Sequence, residues 1–292
     1  MPKINSRANL FFLAIIFLGF FGFFGATKSS EAAIIFSDNF DSQPDWNMSQ
    51  SASLLSGWSD KMEENRGGSY EVGYISSTGA HGGSGKGFVQ YWDQAGGYGY
   101  AQDSWLMKSN LNFTDDWYLG YWFQHDPNWD WGSVASLKLL KVHFDNGETW
   151  DIFWTNFCSG CPSWNVPAGT GFSMCTDDWG RNWGGSWNVL GSDWHYFVWH
   201  FKHSTGTLEL SIDGADAMKT AYTTSYPGTG WDSAYGFSFG GNITNGGGGV
   251  NEMWTKYDDV VLATSKVEVE NFLGINSVDI TAPSAPTGLS VN

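Results

Sequence analysis

Apolar and polar positions alternate along this chain in short runs, separated by clusters of Gly, Asn, Asp and Ser. Alternation with a period of two is the pattern of half-buried strands. Such runs begin with "AIIFSDNF" (33–40) and continue through "KGFVQYWD" (86–93) and "WYLGYWFQ" (117–124). "SLKLLKVHFD" and "ETWDIFW" flank Asn146-Gly147, a dipeptide whose left-handed backbone preference closes tight hairpins. "WHYFVWHFKH" and "TLELSIDG" flank a second turn at Ser204–Gly206, and "AYGFSFGG" and "TKYDDVVLA" follow. No long segment repeats every 3.6 residues, and only Asp60 to Asn65 reads as a short helical turn. The chain is predicted to be all-β, a sandwich of two antiparallel sheets.

The hairpin at 136–154 sorts its own side chains. With a two-residue turn, His143 faces Trp150, Lys141 faces Ile152 and Leu139 faces Trp154. Lys141, His143, Trp150 and Trp154 then share one face, while Leu140, Val142, Phe144 and Phe153 take the other. The second face is a natural core. The first is aromatic yet carries a lysine and an imidazole, which suits stacking on sugar rings and hydrogen bonding to their hydroxyls. The competing reading is that the two tryptophans pack under a loop while Lys141 reaches to water.

The ends of the chain are different in kind. Lys3 and Arg7 precede an unbroken apolar run from Leu10 to Phe24, followed by Ser30-x-Ala32. This order predicts a secretory signal peptide over 1–32, in a run too short for the roughly 20 residues that span a bilayer. The expected domain covers 33–265. Residues 266–292 are expected to be a linker that ends in "TAPSAPTGLSVN", which resembles the opening of a fibronectin type III module.

Composition agrees with an extracellular β protein. Eighteen Trp, 12 Tyr and 21 Phe beside 38 Gly exclude disorder and favour strands joined by turns. Net charge is −16, and it is −18 without residues 1–32, which hold three basic residues and one acidic. Such a field repels nucleic acid and anionic membranes, and no basic cluster tracks a phosphate backbone. The expected partner is a polysaccharide or other glycan. Cys158, Cys161 and Cys175 allow one disulfide in an oxidising compartment, most simply from Cys175 to one of the others, with one thiol left over.

Four stretches resemble the concanavalin A-like jelly rolls, the group containing laminin G-like domains, several glycanases and polysaccharide lyases. They are "FSDNFDSQPDW" at the first strand, "SDWHYFVWHF", "LELSIDG" and the closing "KYDDVVLA". The resemblance implies a β-sandwich whose last strand lies beside the first and whose concave face receives glycans. It also implies a structural Ca²⁺ near those strands, for which Asp38, Asn39, Asp41, Asp258 and Asp259 supply suitable hard oxygens.

On this basis the first expectation is a secreted carbohydrate-binding domain, with Trp150, Trp154, His143, Lys141 and Trp183 contacting the glycan. Trp183 lies in the long insertion 158–188, itself rich in Trp, Gly and Asp. The alternative is a lyase that cleaves a uronate glycan by β-elimination, with His143 as base, Lys141 against the carboxylate and Tyr121 as acid. A third is an adhesive or structural surface protein. Glycosidase chemistry is disfavoured, because the paired carboxylates that glycanases of this fold carry on one strand, Glu-x-Asp-x-x-Glu or Glu-x-Asp-x-Glu, are missing. His195 is expected to donate to a backbone carbonyl. The Gly-rich stretch 240–251 lacks the Lys-Ser/Thr and helix of a phosphate loop and reads as a rim loop.

Overall fold

The computed structural model describes residues 32–64, 73–92, 102–113, 115–128, 134–144, 149–155, 173–176, 182–183, 192–202, 204, 207–221, 234–245 and 253–275. Residues 1–31, with the expected signal peptide, and 276–292, with the fibronectin-like stretch, lie outside them, as do Cys158 and Cys161. Among the described residues sixteen strands form two antiparallel sheets: β1 (Ile34–Asp38), β2 (Trp46–Asn47), β3 (Asp60–Glu64), β4 (Gly73–Ser76), β5 (Gly87–Trp92), β6 (Gln102–Lys108), β7 (Asp116–His125), β8 (Val134–Phe144), β9 (Thr149–Thr155), β10 (Ser173–Thr176), β11 (Asn182–Trp183), β12 (His195–Lys202), β13 (Thr207–Ile212), β14 (Ala215–Ala221), β15 (Ala234–Asn245) and β16 (Met253–Ala263). The first sheet runs β14-β13-β12-β7-β16-β5-β4-β2, and the second runs β11-β10-β9-β8-β15-β6-β3.

β16 organises the first sheet. One edge pairs with β7, while the other pairs with β5 over Met253–Tyr257 and with β1 over Val260–Ala263. The changeover sits at a bulge in which Asp259 takes a φ of 50°, a left-handed backbone that Asp tolerates better than most residues. First and last strands are thus neighbours, with Asp38 opposite Val260, as the resemblance implied.

The core lies between the sheets and is strongly aromatic. Trp117, Leu119, Tyr121 and Phe123 from β7, Phe197, Trp199 and Phe201 from β12, and Tyr257 meet Leu140, Val142, Phe237, Phe239 and Leu106 from the opposite sheet. These side chains alternate along their strands, so each sheet turns one face to the core and one outward. Offset and edge contacts join the rings, for example Trp117 on Phe201 at 3.8 Å and Phe239 on Tyr257 at 5.1 Å between centroids.

Two local expectations change. Asp60–Glu64 is strand β3, pairing with β6 from Asp60↔Met107 to Glu64↔Asp103, and not a helical turn. Helix-forming residues go extended there because the ladder to β6 offers more than a single isolated turn. Beyond the expected boundary at 265, helix α1 (Lys266–Phe272) packs Val269 and Leu273 on Val198, Val261 and Ala263 of the first sheet's outer face. Ser265 caps its start through Glu268 N–H. Its end is a Schellman turn, with Gly274 at φ 71° and N–H groups of Gly274 and Ile275 on the carbonyls of Asn271 and Glu270. Gly120 of β7 lies under the helix, where a Cβ would run into the Val269 side chain. No helix among the described residues is long and apolar enough to cross a membrane.

Candidate active site

The outer face of the second sheet is where polar chemistry gathers. Leu140, Val142, Phe237 and Phe239 point to the core, so their neighbours Lys141, His143 and Ser238 point the other way. Ser238 pairs with Lys141 on one side and Met107 on the other, and Gly236 pairs with His143. The imidazole Nε2 of His143 lies 2.9 Å from Ser238 Oγ, and Ser238 is itself buried. This contact fixes the ring's orientation on the sheet.

A second aromatic group joins them through a bulge. Ala234 pairs with Phe144 and Gly236 with His143, which leaves Tyr235 as the extra residue of β15. Its ring centroid is 6.3 Å from that of His143, and it is half-buried. On the other side, Lys141 Nζ lies 4.7 Å above the ring of Trp105, a cation–π contact that spans β15 above Ser238 and Gly240. Trp105 is almost fully buried, and its indole N–H finds no acceptor among the described residues. A buried unspent donor is uncommon.

The expected hairpin face is not reproduced in full. The register sets His143 against Thr149, Lys141 against Asp151 and Val142 against Trp150. This is one residue away from a two-residue turn at Asn146-Gly147, and a slip of one exchanges the faces of a strand. Trp150 and Trp154 therefore stand opposite Val142 and Leu137, not with His143 and Lys141. Trp183 stands at the sheet edge, against Met174, which in turn faces Trp154. Tyr121 is also displaced from the expected role. It is fully buried between the sheets, its hydroxyl accepts the Trp199 indole N–H at 3.0 Å, and burial pushes its pKa far above the ordinary phenol value. Such a group cannot deliver protons to a ligand on an outer face.

The acidic residues expected to hold calcium are engaged otherwise. Asp38 Oδ1 accepts Phe40 N–H, and Oδ2 accepts both Gln43 Nε2 at 2.7 Å and Trp58 Nε1 at 2.6 Å. Asp258 Oδ2 accepts His81 N–H at 2.7 Å, and Oδ1 accepts Asp259 N–H at 2.8 Å. Asp41 accepts Lys86 N–H and is approached by the Asn39 amide at 3.4 Å. Asp259 faces His81 at 3.8 Å. These carboxylates tie loops to the sheet, and no three acidic, histidine or cysteine side chains among the described residues converge as a metal site. The donor set as arranged does not fit Ca²⁺, which needs six or more oxygens turned to one point. Burial, with Asp259 and Asp41 as like-charged neighbours, pushes the Asp258 carboxyl up to about 8.

Among the described residues, His195 and His200 are tied to carboxylates. His195 Nδ1 lies 2.6 Å from the Asp213 carboxylate. His200 stands between Asp116 and Glu209, at 2.6 and 2.8 Å, and stacks on Tyr118.

No protein-family model matches the chain, and no curated protein matches it either. Solved structures do. The fungal (Trichoderma reesei) endo-β-1,4-glucuronan lyase aligns with a TM-score of 0.50 at 17% identity, over 74% of this chain and 94% of that one. The alginate lyase Aly36B aligns with a TM-score of 0.50 at 14% identity, over 78% and 95%. A substituted form of Aly36B in complex with alginate trisaccharide gives 0.50 at 14%, over 79% and 98%. With the two sheets described above, these likenesses define the fold: a concanavalin A-like jelly roll, the architecture shared by those polysaccharide lyases.

Proposed function

We propose that this protein is a secreted enzyme that cleaves a uronate-containing polysaccharide by β-elimination on the outer face of its second sheet. The observation that carries this reading is the meeting of His143, Lys141 and Tyr235 on adjacent strands, with His143 held by buried Ser238. His143 takes the proton α to the uronate carboxylate. The electron pair left behind forms the ring double bond, and the bond from the neighbouring carbon to the glycosidic oxygen breaks. Tyr235 gives its phenolic proton to that oxygen, and Lys141 balances the charge that builds on the carboxylate. Each role falls to a side chain of the right type within one small area. The structural likeness to lyases supports the scaffold for such a site and no more than the scaffold.

The test is appearance of the ultraviolet absorbance of an unsaturated uronate on incubation with uronate polymers. Tyr235→Phe and His143→Ala should each lower turnover by about 10²–10⁴-fold, the usual worth of a positioned acid or base, with binding nearly retained. Absence of unsaturated product from every uronate polymer tried refutes elimination. A second reading, binding without cleavage, draws on the half-buried rings of His143 and Tyr235, which lie 6.3 Å apart between centroids. Saturable binding without product would establish it.

A further inference from the structure

The outer face of the first sheet carries a second set of partly exposed rings, on the opposite side of the sandwich from His143. Met253, Thr255 and Tyr257 of β16 and Tyr121 and Phe123 of β7 point inward, so Trp254, Lys256, Trp122 and Gln124 point outward. All four are half-buried. Trp254 stands directly opposite Tyr91 of β5, and Lys256 opposite Gln124 of β7. The Lys256 ammonium lies 4.1 Å over the Trp254 ring. Gln124 is held in place by its amide N–H, which donates to the Ser192 carbonyl at 2.8 Å. At the far end Trp122, opposite Asp258, stacks on His81 at 3.8 Å, and Trp194 meets the same imidazole edge-on at 5.4 Å. The Asp259 carboxylate lies 3.8 Å from His81. Trp254 and the residue opposite Trp122 are four apart on β16, about 13 Å at the rise of an antiparallel strand.

We infer that this face is a second, non-catalytic glycan site, which holds an acidic polysaccharide along β16 with a carboxylate on Lys256 and sugar rings on the aromatic groups at either end. The inference rests on the reading that a uronate polysaccharide is the partner, and not on its cleavage. Apolar faces of pyranose rings pack on aromatic side chains, while hydroxyls and carboxylates need polar partners placed between. The order of ring, ammonium and amide, then ring supplies both within the reach of a short oligosaccharide. Partial burial holds the Lys256 pKa below the ordinary lysine value, with Asp126 acting the other way. A carboxylate arriving there meets a cation that water screens less than at an open surface. On a chain of net charge −16 this ammonium is a local attractor within a repelling field. Asp259, at the Trp122 end, accepts hydrogen bonds from hydroxyls but repels a carboxylate, which sets the acidic unit at Lys256. Such a site tethers the molecule to polymer while the opposite sheet stays available to another strand.

Affinity electrophoresis through gels containing alginate or glucuronan reads the binding, with Tyr235→Phe protein so that the polymer is not consumed. Trp254→Ala and Lys256→Gln should each weaken retention by about tenfold, a scale borrowed from the stacking of aromatic side chains on nucleic-acid bases. Lys256→Arg should retain it. With Tyr235 intact, the first two substitutions should leave unsaturated-product formation from a uronate tetrasaccharide unchanged and lower it on dilute polymer. Melting curves identify a variant that has lost its fold, and Lys256→Gln, which removes a charge without emptying the face, stays readable if Trp254→Ala unfolds. Retention by neither polymer, or retention unmoved by both substitutions, overturns the inference; in the second case a rate that still depends on Tyr235 leaves the elimination reading standing. Equal loss of rate on tetrasaccharide and polymer also overturns it, by making this face part of the reaction site. A wild-type dimer that Trp254→Ala dissociates, with retention unchanged, overturns it in favour of a contact between two copies. Weakened retention with no unsaturated product from either polymer upholds the inference and refutes elimination.

Discussion

Asp258 offers the sharpest test of how the acidic corner is built. Its carboxyl is buried beside the bulge in the middle of β16 and held by two backbone N–H groups, yet desolvation and the neighbouring Asp259 and Asp41 raise it to about 8. In the unfolded chain the same group has its ordinary value of 3.8. Between those two points the native state keeps a proton that the unfolded state releases. Folding stability from this group is therefore complete below about pH 4, declines as pH rises, and is gone above about pH 8. Each tenfold change in proton affinity is worth about 1.4 kcal/mol, so the decline is at most roughly 4–6 kcal/mol. Urea unfolding of wild type and Asp258→Asn across this range isolates the contribution, since other titrating groups largely cancel in the difference. The wild-type advantage should shrink steadily toward alkaline pH, and Asp259→Asn should recover part of it. EDTA should leave both curves where they are. A melting point that rises with added Ca²⁺, or an advantage that grows with pH, would refute this account and restore a cation to the site.

Other outcomes are simpler to read. Tyr121→Phe should destabilise by about 1–3 kcal/mol by stranding the Trp199 N–H, while the folded fraction keeps its turnover. Tyr235→Phe should do the reverse, with turnover lost and the denaturation midpoint little changed. Gly120→Val should push α1 off the first sheet and cost about 1–3 kcal/mol; a melting curve matching wild type would show that the helix contributes nothing.

The sandwich was legible because its strands carry their alternation openly, from "WYLGYWFQ" in β7 to "AYGFSFGG" in β15. What was not legible depends on single-residue offsets. Asn146-Gly147 has the composition of a two-residue turn, yet His143 pairs with Thr149, and that one step separates Trp150 and Trp154 from His143 and Lys141. Tyr235 escaped notice for the same reason, since alternation cannot show which residue of a strand is the extra one. Tyr121 illustrates the converse: an aromatic strand does not say which of its rings face the core. β3 and β6 were invisible as a pair because their partnership is long-range while their local composition is mixed.

The place of β16 has a consequence for the order in which the molecule can assemble. It is the seam of the first sheet, joined to β1, β5 and β7, and among the described strands it is the last in chain order. Until 253–263 is available, β1 has no partner in that sheet, and β5 and β7 lack the strand between them. The earlier strands can collapse but cannot close the layer, and pairing at such sequence distance is slow to form. A nascent chain of this design keeps its first sheet open until residues 253–263 have emerged, so its early strands meet the surroundings with their core faces uncovered.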